Sequence, residues 1–263
     1  MVGHITRDEV DGGVRLGGAA SYAALAAATL GIETALVTAA PPDDALLEPL
    51  RRSPGLHLCC VPSDVITTFA LDYSGGSRRL WLRQRARPLT IDDVPPDWRR
   101  PRVAYVGPVA GECDGALIRE LGASFVGAGL QGWLRRVRDD GLVEPAPLLE
   151  ELPPLDVAII SELDHPDAEA IAQSRVAEGG TAAITRGARG ATLIRGGERV
   201  KIPAAPAREV DPTGAGDVFG VVLTLQLAWG EPLAAAGRAA SAVAARVVEG
   251  PGLGTLAKAL RHL

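Results

Sequence analysis

The chain has 263 residues, 47% of them hydrophobic and 22% charged, and its formal net charge at pH 7 is −5. This composition is typical of a soluble globular protein, built as one large α/β domain or as one domain with a small appendage. The negative charge argues against partners that bind by overall attraction to a basic protein, such as nucleic acid or an anionic membrane.

Targeting and metal-binding signals are missing from the sequence. No apolar run reaches the ~18 residues of a membrane span, and the N-terminus lacks a basic and apolar signal segment. The three cysteines (Cys59, Cys60 and Cys113) have no CxxC spacing, and the four histidines show no metal-ligand spacing. We therefore expect a cytoplasmic protein with structural cysteines.

The first third of the chain begins with a predicted strand and an alanine-rich helix. Residues 1–6 form the predicted strand, and Asp8 follows it. The pair Gly17-Gly18 then opens the helix. Taken alone, a glycine pair before so many alanines favours close packing of a helix on a sheet.

Residues 65–85 carry the clearest β-strand signal in the chain. Phe69, Leu71 and Tyr73 alternate with other residues, and Gly75-Gly76 supplies a hairpin turn. A hairpin that is half apolar and half charged fits poorly in a central sheet, so we expect it to be mobile. The alternative is that a second copy of the chain covers the apolar face, which would make a homodimer.

Strands and helices alternate from residue 103 onward. The predicted strands include residues 103–107, 123–127, 156–160 and 181–185. This alternation predicts a parallel, right-handed α/β/α sandwich.

Residues 211–220 are the most informative stretch, because two glycines and an acid precede an apolar run. They predict a tight loop that opens a buried helix, where backbone N–H groups and the helix dipole bind an anion. We expect a positive φ at Gly216. A carboxylate at Asp217 makes sense beside a phosphate if it receives the proton of an attacking hydroxyl. The alternative is that Asp217 only favours the helix dipole and that the glycines form an ordinary turn.

This stretch resembles the C-terminal signature of the ribokinase-like (PfkB) carbohydrate kinases, Asp-x-Thr-Gly-Ala-Gly-Asp-x-Phe. The resemblance implies a three-layer α/β/α sandwich with a small β-sheet lid: one domain over residues 1–263, with lid strands at about 8–17 and 65–85. It implies transfer of the ATP γ-phosphoryl group to a hydroxyl of a sugar or cyclic polyol. Mg²⁺ is the implied cofactor, with a monovalent cation as a further candidate.

The resemblance also implies roles for individual residues. The catalytic positions are Asp217 as the base and the loop backbone of Gly214, Ala215 and Gly216. The acceptor-binding positions are Asp8, Gly17, Gly18, Tyr22 and Arg83, of which Arg83 has a solvated strand face as its alternative. The nucleotide-binding positions are Asp211, Thr213, Thr185, Gly187 and Gly190. Asp164 would help to hold magnesium through water.

Two positions depart from the family pattern. Tyr22 stands where many members have Asn, and Ser161-x-x-Asp164 replaces Asn-x-x-Glu. The run from Gly17 to Tyr22 resembles the inositol-kinase branch, and a tyrosine ring face suits a cyclic polyol such as myo-inositol. The rival functions are a nucleoside or vitamin-precursor kinase and a non-catalytic nucleotide-binding regulator. The intact Asp217 favours an enzyme.

Overall fold

The computed structural model describes residues 1–10, 13–72, 79–148 and 151–260. The first half of the chain contains β1 (Thr6–Val10), β2 (Gly13–Gly17), α1 (Ala19–Thr29), β3 (Thr34–Ala40), α2 (Glu48–Arg51), β4 (Leu56–Pro62), β5 (Thr67–Asp72), β6 (Arg79–Gln84), β7 (Val103–Val106), α3 (Gly115–Leu121) and β8 (Phe125–Gly129). The second half contains β9 (Arg135–Val137), β10 (Val143–Pro145), β11 (Leu155–Ser161), α4 (Ala168–Ser174), β12 (Val176–Thr185), β13 (Ala191–Arg195), β14 (Glu198–Ile202), α5 (Ala215–Ala228), α6 (Leu233–Val247) and α7 (Gly252–Leu260).

The central sheet has the strand order β14-β13-β12-β11-β8-β7, and Val2 bridges β7 to the parallel pair β3-β4. The strands from β12 to β7 are parallel, as the sequence predicts. β13 and β14 are antiparallel to their neighbours, so the sheet is mixed. The reason is the short connections after β12 and β13, since only antiparallel strands can be joined without a crossover.

Helices cover both faces of this sheet. In β11, Val157 and Ile159 belong to the buried cluster beneath α1, α5, α6 and α7, and Ala158 and Ile160 belong to the cluster beneath α3 and α4. This alternation is the period-2 pattern of a strand that is buried on both sides. Ten of the eleven residues of α1 are buried, because the helix packs against neighbours all round. The predicted three-layer α/β/α class is confirmed.

A second sheet, the lid sheet, has the order β2-β1-β5-β6 and confirms the predicted small lid. β1 lies between β2 (antiparallel) and β5 (parallel), and β5 pairs with β6 (antiparallel). The prediction of one strand over residues 1–6 is wrong. Val2 only bridges the central sheet, and the chain then crosses to the lid sheet, where β1 begins at Thr6.

The apolar face of the 65–85 hairpin is buried within the chain. Phe69 and Leu71 are 4% and 8% exposed and form a cluster with Ala19 and Val109. An exposed apolar face was the basis of the predicted homodimer, so that argument is wrong. Tyr73 and the predicted turn at Gly75-Gly76 lie outside the described residues.

Candidate active site

The loop before α5, which we call the anion loop (residues 211–216), is shaped by its own backbone. Oδ1 of Asp211 accepts a hydrogen bond from the N–H of Thr213 at 2.9 Å. Gly214 caps α5 with a left-handed φ of 81°, a conformation that favours glycine. The N-terminus of this 14-residue helix therefore opens directly from the loop, which is the geometry of an anion site.

The expectation of a positive φ at Gly216 is wrong. Gly216 lies inside the first turn of α5, and the left-handed residue of the loop is Gly214. A Cβ built on Gly216 would meet no atom within 4 Å. The N–H of Ala215 points to the carbonyl of Pro212 at 3.3 Å, so it also serves the turn. Open space at Gly216, rather than backbone strain, is what leaves room for a ligand.

Tyr22, in the first turn of α1, packs directly against Gly214. Its side chain is only 2% exposed, and a Cβ on Gly214 would overlap its ring. Burial, together with the negative charges of Asp211, Asp8 and Asp217, raises the pKa of the Tyr22 phenol above its usual range. The ring therefore supports the anion loop, and the acceptor contact that the sequence predicts for Tyr22 stays a prediction.

The lid sheet places the carboxylate residue Asp8 next to the basic residue Arg15 on the neighbouring strand. Asp8 and Arg15 are directly opposite each other in the pairing of β1 with β2. Asp8 is 9% exposed, and its Oδ1 accepts a hydrogen bond from Oγ1 of Thr6 at 2.7 Å. Nη1 of Arg15 donates to Oδ2 of Asp211 at 3.1 Å. Asp211 thus binds the lid sheet through one oxygen and the anion loop through the other.

The glycine pair before α1 contacts the chain itself. A Cβ on Gly17 would overlap Oδ2 of Asp8, and one on Gly18 would lie 2.5 Å from the carbonyl oxygen of His4. Gly18 also has a φ of 98°. Both glycines are therefore required by packing around Asp8 and the backbone of residues 4–6, as the packing interpretation of the sequence predicts.

The Thr185 turn lies at the end of β12, and Thr185 is paired with Ser161 of β11. Gly187 starts a short 3₁₀ helix, and a Cβ on Gly190 would overlap the carbonyl oxygen of Ile202. The arginines of the turn, Arg186 and Arg189, both pair with Glu162. These contacts give the turn a fixed shape beside the carboxyl ends of the parallel strands.

Asp164 is held by two neighbours. Its Oδ2 accepts from the N–H of Ser161 at 2.9 Å, and its Oδ1 accepts from Nε2 of Gln131 at 2.8 Å. Within the described ranges, no group of three or more His, Cys, Asp or Glu side chains could hold a metal ion. Because both Asp164 oxygens already accept hydrogen bonds, this carboxylate suits contact with a Mg²⁺ ion through the waters of the ion, with phosphate as the direct ligand.

Arg83 is exposed at an irregularity in the pairing of β5 with β6, in agreement with its solvated alternative. The sequence interpretation gave no role to Arg15, Arg135 or Tyr105. Arg135 lies 5.6 Å from the centroid of the Phe69 ring and donates to the carbonyl of Val109 at 2.7 Å. Only the strand register could have placed Arg15 opposite Asp8.

The assembled site lies where the N-termini of two helices meet beneath the lid sheet. α1 begins beside Gly107, at the carboxyl end of β7, and α5 begins against Tyr22 of α1. The negative charges of Asp8, Asp211 and Asp217 all contribute to the raised pKa of the Tyr22 phenol, so each carboxylate is close enough to act on that residue. A three-layer α/β/α sandwich with this lid and this anion loop is the arrangement that the resemblance to the ribokinase-like class implies.

Comparisons with known proteins agree with that class. Residues 157–259 match the model of the pfkB family carbohydrate kinases. A segment of 66 residues, 25% of the chain, is 48% identical to the bifunctional protein HldE of Rhodopseudomonas palustris strain TIE-1, and it spans 14% of the length of that relative. The resemblance to the pfkB carbohydrate kinases is thereby confirmed.

Solved structures show the same fold over the whole chain. A pyrophosphate-dependent kinase in the ribokinase family, complexed with a pyrophosphate analogue and myo-inositol, has a TM-score of 0.81 at 20% identity, over 100% of this chain and 98% of the other. Ribokinase from Thermotoga maritima has a TM-score of 0.71 at 16% identity, over 99% and 97%. In the described part of the chain, no helix has the length and apolar character to cross a membrane.

Proposed function

We propose that this protein transfers a phosphoryl group to a hydroxyl of a sugar or cyclic polyol, with Asp217 as the base. The observation that carries the proposal is the meeting of two helix N-termini at Tyr22, with Asp8, Asp211 and Asp217 close enough to act on that residue. Helix N-termini attract phosphate, and a carboxylate in the first turn of α5 can take the proton of an attacking hydroxyl. The match to the pfkB carbohydrate kinases supports this reaction.

Each residue of the site has one physical task in this mechanism. Asp217 accepts the proton of the reacting hydroxyl, and the backbone at Gly214 and Gly216 faces the transferring group. Asp8, fixed by Thr6, accepts hydrogen bonds from other hydroxyls of the acceptor. A bound Mg²⁺ ion would neutralise charge on the donor phosphates, with Asp164 nearby as a ligand through water. Arg15 ties the lid sheet to the anion loop, and this excludes water from the site.

The acceptor we favour is a cyclic polyol such as myo-inositol. The structural neighbour with a TM-score of 0.81 was solved with myo-inositol, and a pyrophosphate-dependent myo-inositol-1 kinase variant has a TM-score of 0.78. The run from Gly17 to Tyr22 supports the same choice by its resemblance to inositol kinases. A nucleoside or a vitamin precursor is the rival acceptor.

Two donors are in competition. The sequence resemblance implies ATP. The two solved structures with TM-scores of 0.81 and 0.78, by contrast, are of pyrophosphate-dependent kinases. Both donors present phosphoryl groups that suit the anion loop, so the loop itself does not discriminate between them. We keep ATP as the first proposal and pyrophosphate as the second.

The test is a matrix of two donors and several acceptors with the purified protein. Each donor, ATP or pyrophosphate with Mg²⁺, is combined with myo-inositol, a pyranose, ribose or a nucleoside, and ³¹P NMR detects the phosphomonoester. We expect the highest kcat/KM with the cyclitol. No product from any pair, with nucleotide binding retained, would favour the non-catalytic regulator instead. Product from a nucleoside alone would favour the rival kinase.

A further inference from the structure

Tyr105 of β7 is a buried phenol for which the described residues offer no hydrogen-bond partner. Its side chain is 1% exposed, and its hydroxyl is the one side-chain polar atom that is both fully buried and unpaired in the described part of the chain. An unpaired buried hydroxyl destabilises a fold, and phenylalanine would fill the same space without this cost. Such a group therefore needs an explanation other than packing.

The hydroxyl occupies space that two glycines leave open next to α5. A Cβ on Gly220 would lie 2.5 Å from the Tyr105 oxygen, and a Cβ on Gly129 would lie 3.2 Å from it. Gly220 is three residues after Asp217, so the two positions are neighbours on one face of the helix. Side chains on a helix point back toward its N-terminus, so the space above Gly220 lies on the side of Asp217.

We propose that Tyr105 is a positioning residue for Asp217: the Asp217 side chain turns in solution so that its carboxylate accepts a hydrogen bond from the Tyr105 hydroxyl, which is unpaired among the described residues. The bond would orient the carboxylate and favour its ionised form, which is the form that accepts a proton. This inference rests on the proposed function for its catalytic meaning, but the hydrogen bond itself can be measured without turnover. The electrostatic effect of Asp217 on the Tyr105 phenol supports the proximity of the two groups.

Other charged groups also lie near the N-terminus of α5. Asp8, Arg15 and Asp211 act, together with Asp217, on the Tyr22 phenol that packs against Gly214. Arg238 and Arg246 are exposed on α6, and Asp156 uses Oδ2 to accept from Val126. Asp8 and Asp211 would oppose ionisation of Asp217, which makes a nearby donor such as Tyr105 more consequential.

The test compares Tyr105→Phe with Thr224→Val. Both variants remove a buried hydroxyl beside or on α5 and keep the shape of the side chain. The Thr224 hydroxyl, however, already donates to the carbonyl of Gly220 at 2.8 Å within the helix, so it serves as the control. The pH titration of aspartate carboxyl carbons is followed by ¹³C NMR in the full chain, with Asp217→Asn to assign the signal. We expect the Asp217 midpoint to rise by about one pH unit in Tyr105→Phe and to stay in place in Thr224→Val.

Kinetics give a second readout where a donor and acceptor pair is active. The acid limb of the pH profile of kcat/KM should move to higher pH in Tyr105→Phe, in parallel with the NMR midpoint. An unchanged Asp217 midpoint, or a Tyr105→Phe variant that fails to fold, would overturn the inference, because the hydroxyl would then have a structural role. An inactive protein whose NMR midpoint still moves would refute the proposed function and retain the positioning contact.

Discussion

The starts of α1 and α5 look alike in sequence but use their glycines differently. At α1, Gly17 lies against the carboxylate of Asp8, and Gly18 lies against the backbone of residues 4–6. At α5, Gly214 lies against the Tyr22 ring, while the position of a side chain on Gly216 is open. Both starts belong to one site, because Tyr22 of α1 is also the support of the α5 loop.

This difference separates structural glycines from glycines that leave room for a ligand. Where the chain itself fills the space beside a glycine, a side chain there must destabilise the fold. Where the space is open, a side chain costs the fold nothing and can only obstruct a ligand. Substitutions at the two helix starts should therefore affect different quantities.

Asp217→Asn should have the largest effect on activity. The amide keeps the size of the side chain but cannot take a proton, so kcat should fall by roughly 10²–10⁴ while donor binding is retained. The measurement is steady-state kinetics with the donor that proves active, and the control is Glu209→Gln, an exposed acid just before the anion loop. Turnover within a few-fold of wild type would show that Asp217 is not the base.

Gly18→Ala should have the largest effect on stability. The residue has a φ of 98°, and a Cβ would lie 2.5 Å from the His4 carbonyl oxygen, so strain and overlap combine. We expect the free energy of unfolding to fall by about 2–4 kcal/mol, measured by denaturant unfolding. If the free energy of unfolding falls by less than about 0.5 kcal/mol, the start of α1 tolerates a side chain at Gly18, and its glycines do not differ from those of α5 in the way described.

Gly216→Ala should show the opposite behaviour. Alanine is the better helix former, so the free energy of unfolding should stay equal or rise by up to about 1 kcal/mol. The added methyl group enters the open space before α5, so kcat/KM should fall about tenfold or more. Equal activity in Gly216→Ala and wild type would show that the phosphoryl group binds elsewhere.

Arg15→Gln should have the smallest effect. Its pair with Asp211 has a half-exposed guanidinium, and exposed ion pairs contribute at most about 1 kcal/mol. We expect up to about fivefold more donor hydrolysis per transfer event, with the difference between variant and wild type shrinking at high salt. Arg199→Gln, which breaks a comparable pair with Glu169 on α4, is the control. If Arg15→Gln and Arg199→Gln increase donor hydrolysis equally, the pair of Arg15 with Asp211 does not connect the lid sheet to the anion loop.

The sequence by itself determined the layered fold and the anion loop. The alternation of strands with helices predicted a sheet covered by helices. The alternation of apolar with other residues in 65–85 predicted a hairpin outside that sheet. Both predictions follow from local periodicity. The stretch 211–217 predicted a helix N-terminus with an acid in its first turn, and the structure has one. Each of these features depends on residues that are neighbours in the chain.

Only the tertiary structure decided which residues meet. Asp8, Tyr22 and Asp211 are far apart in sequence, and their grouping depends on how the lid sheet and α1 pack against α5. The same packing made Tyr22 the support of Gly214, and it placed Tyr105 beside the helix that carries Asp217. Such contacts join residues of high sequence separation, and no local pattern encodes the space that one segment leaves for another.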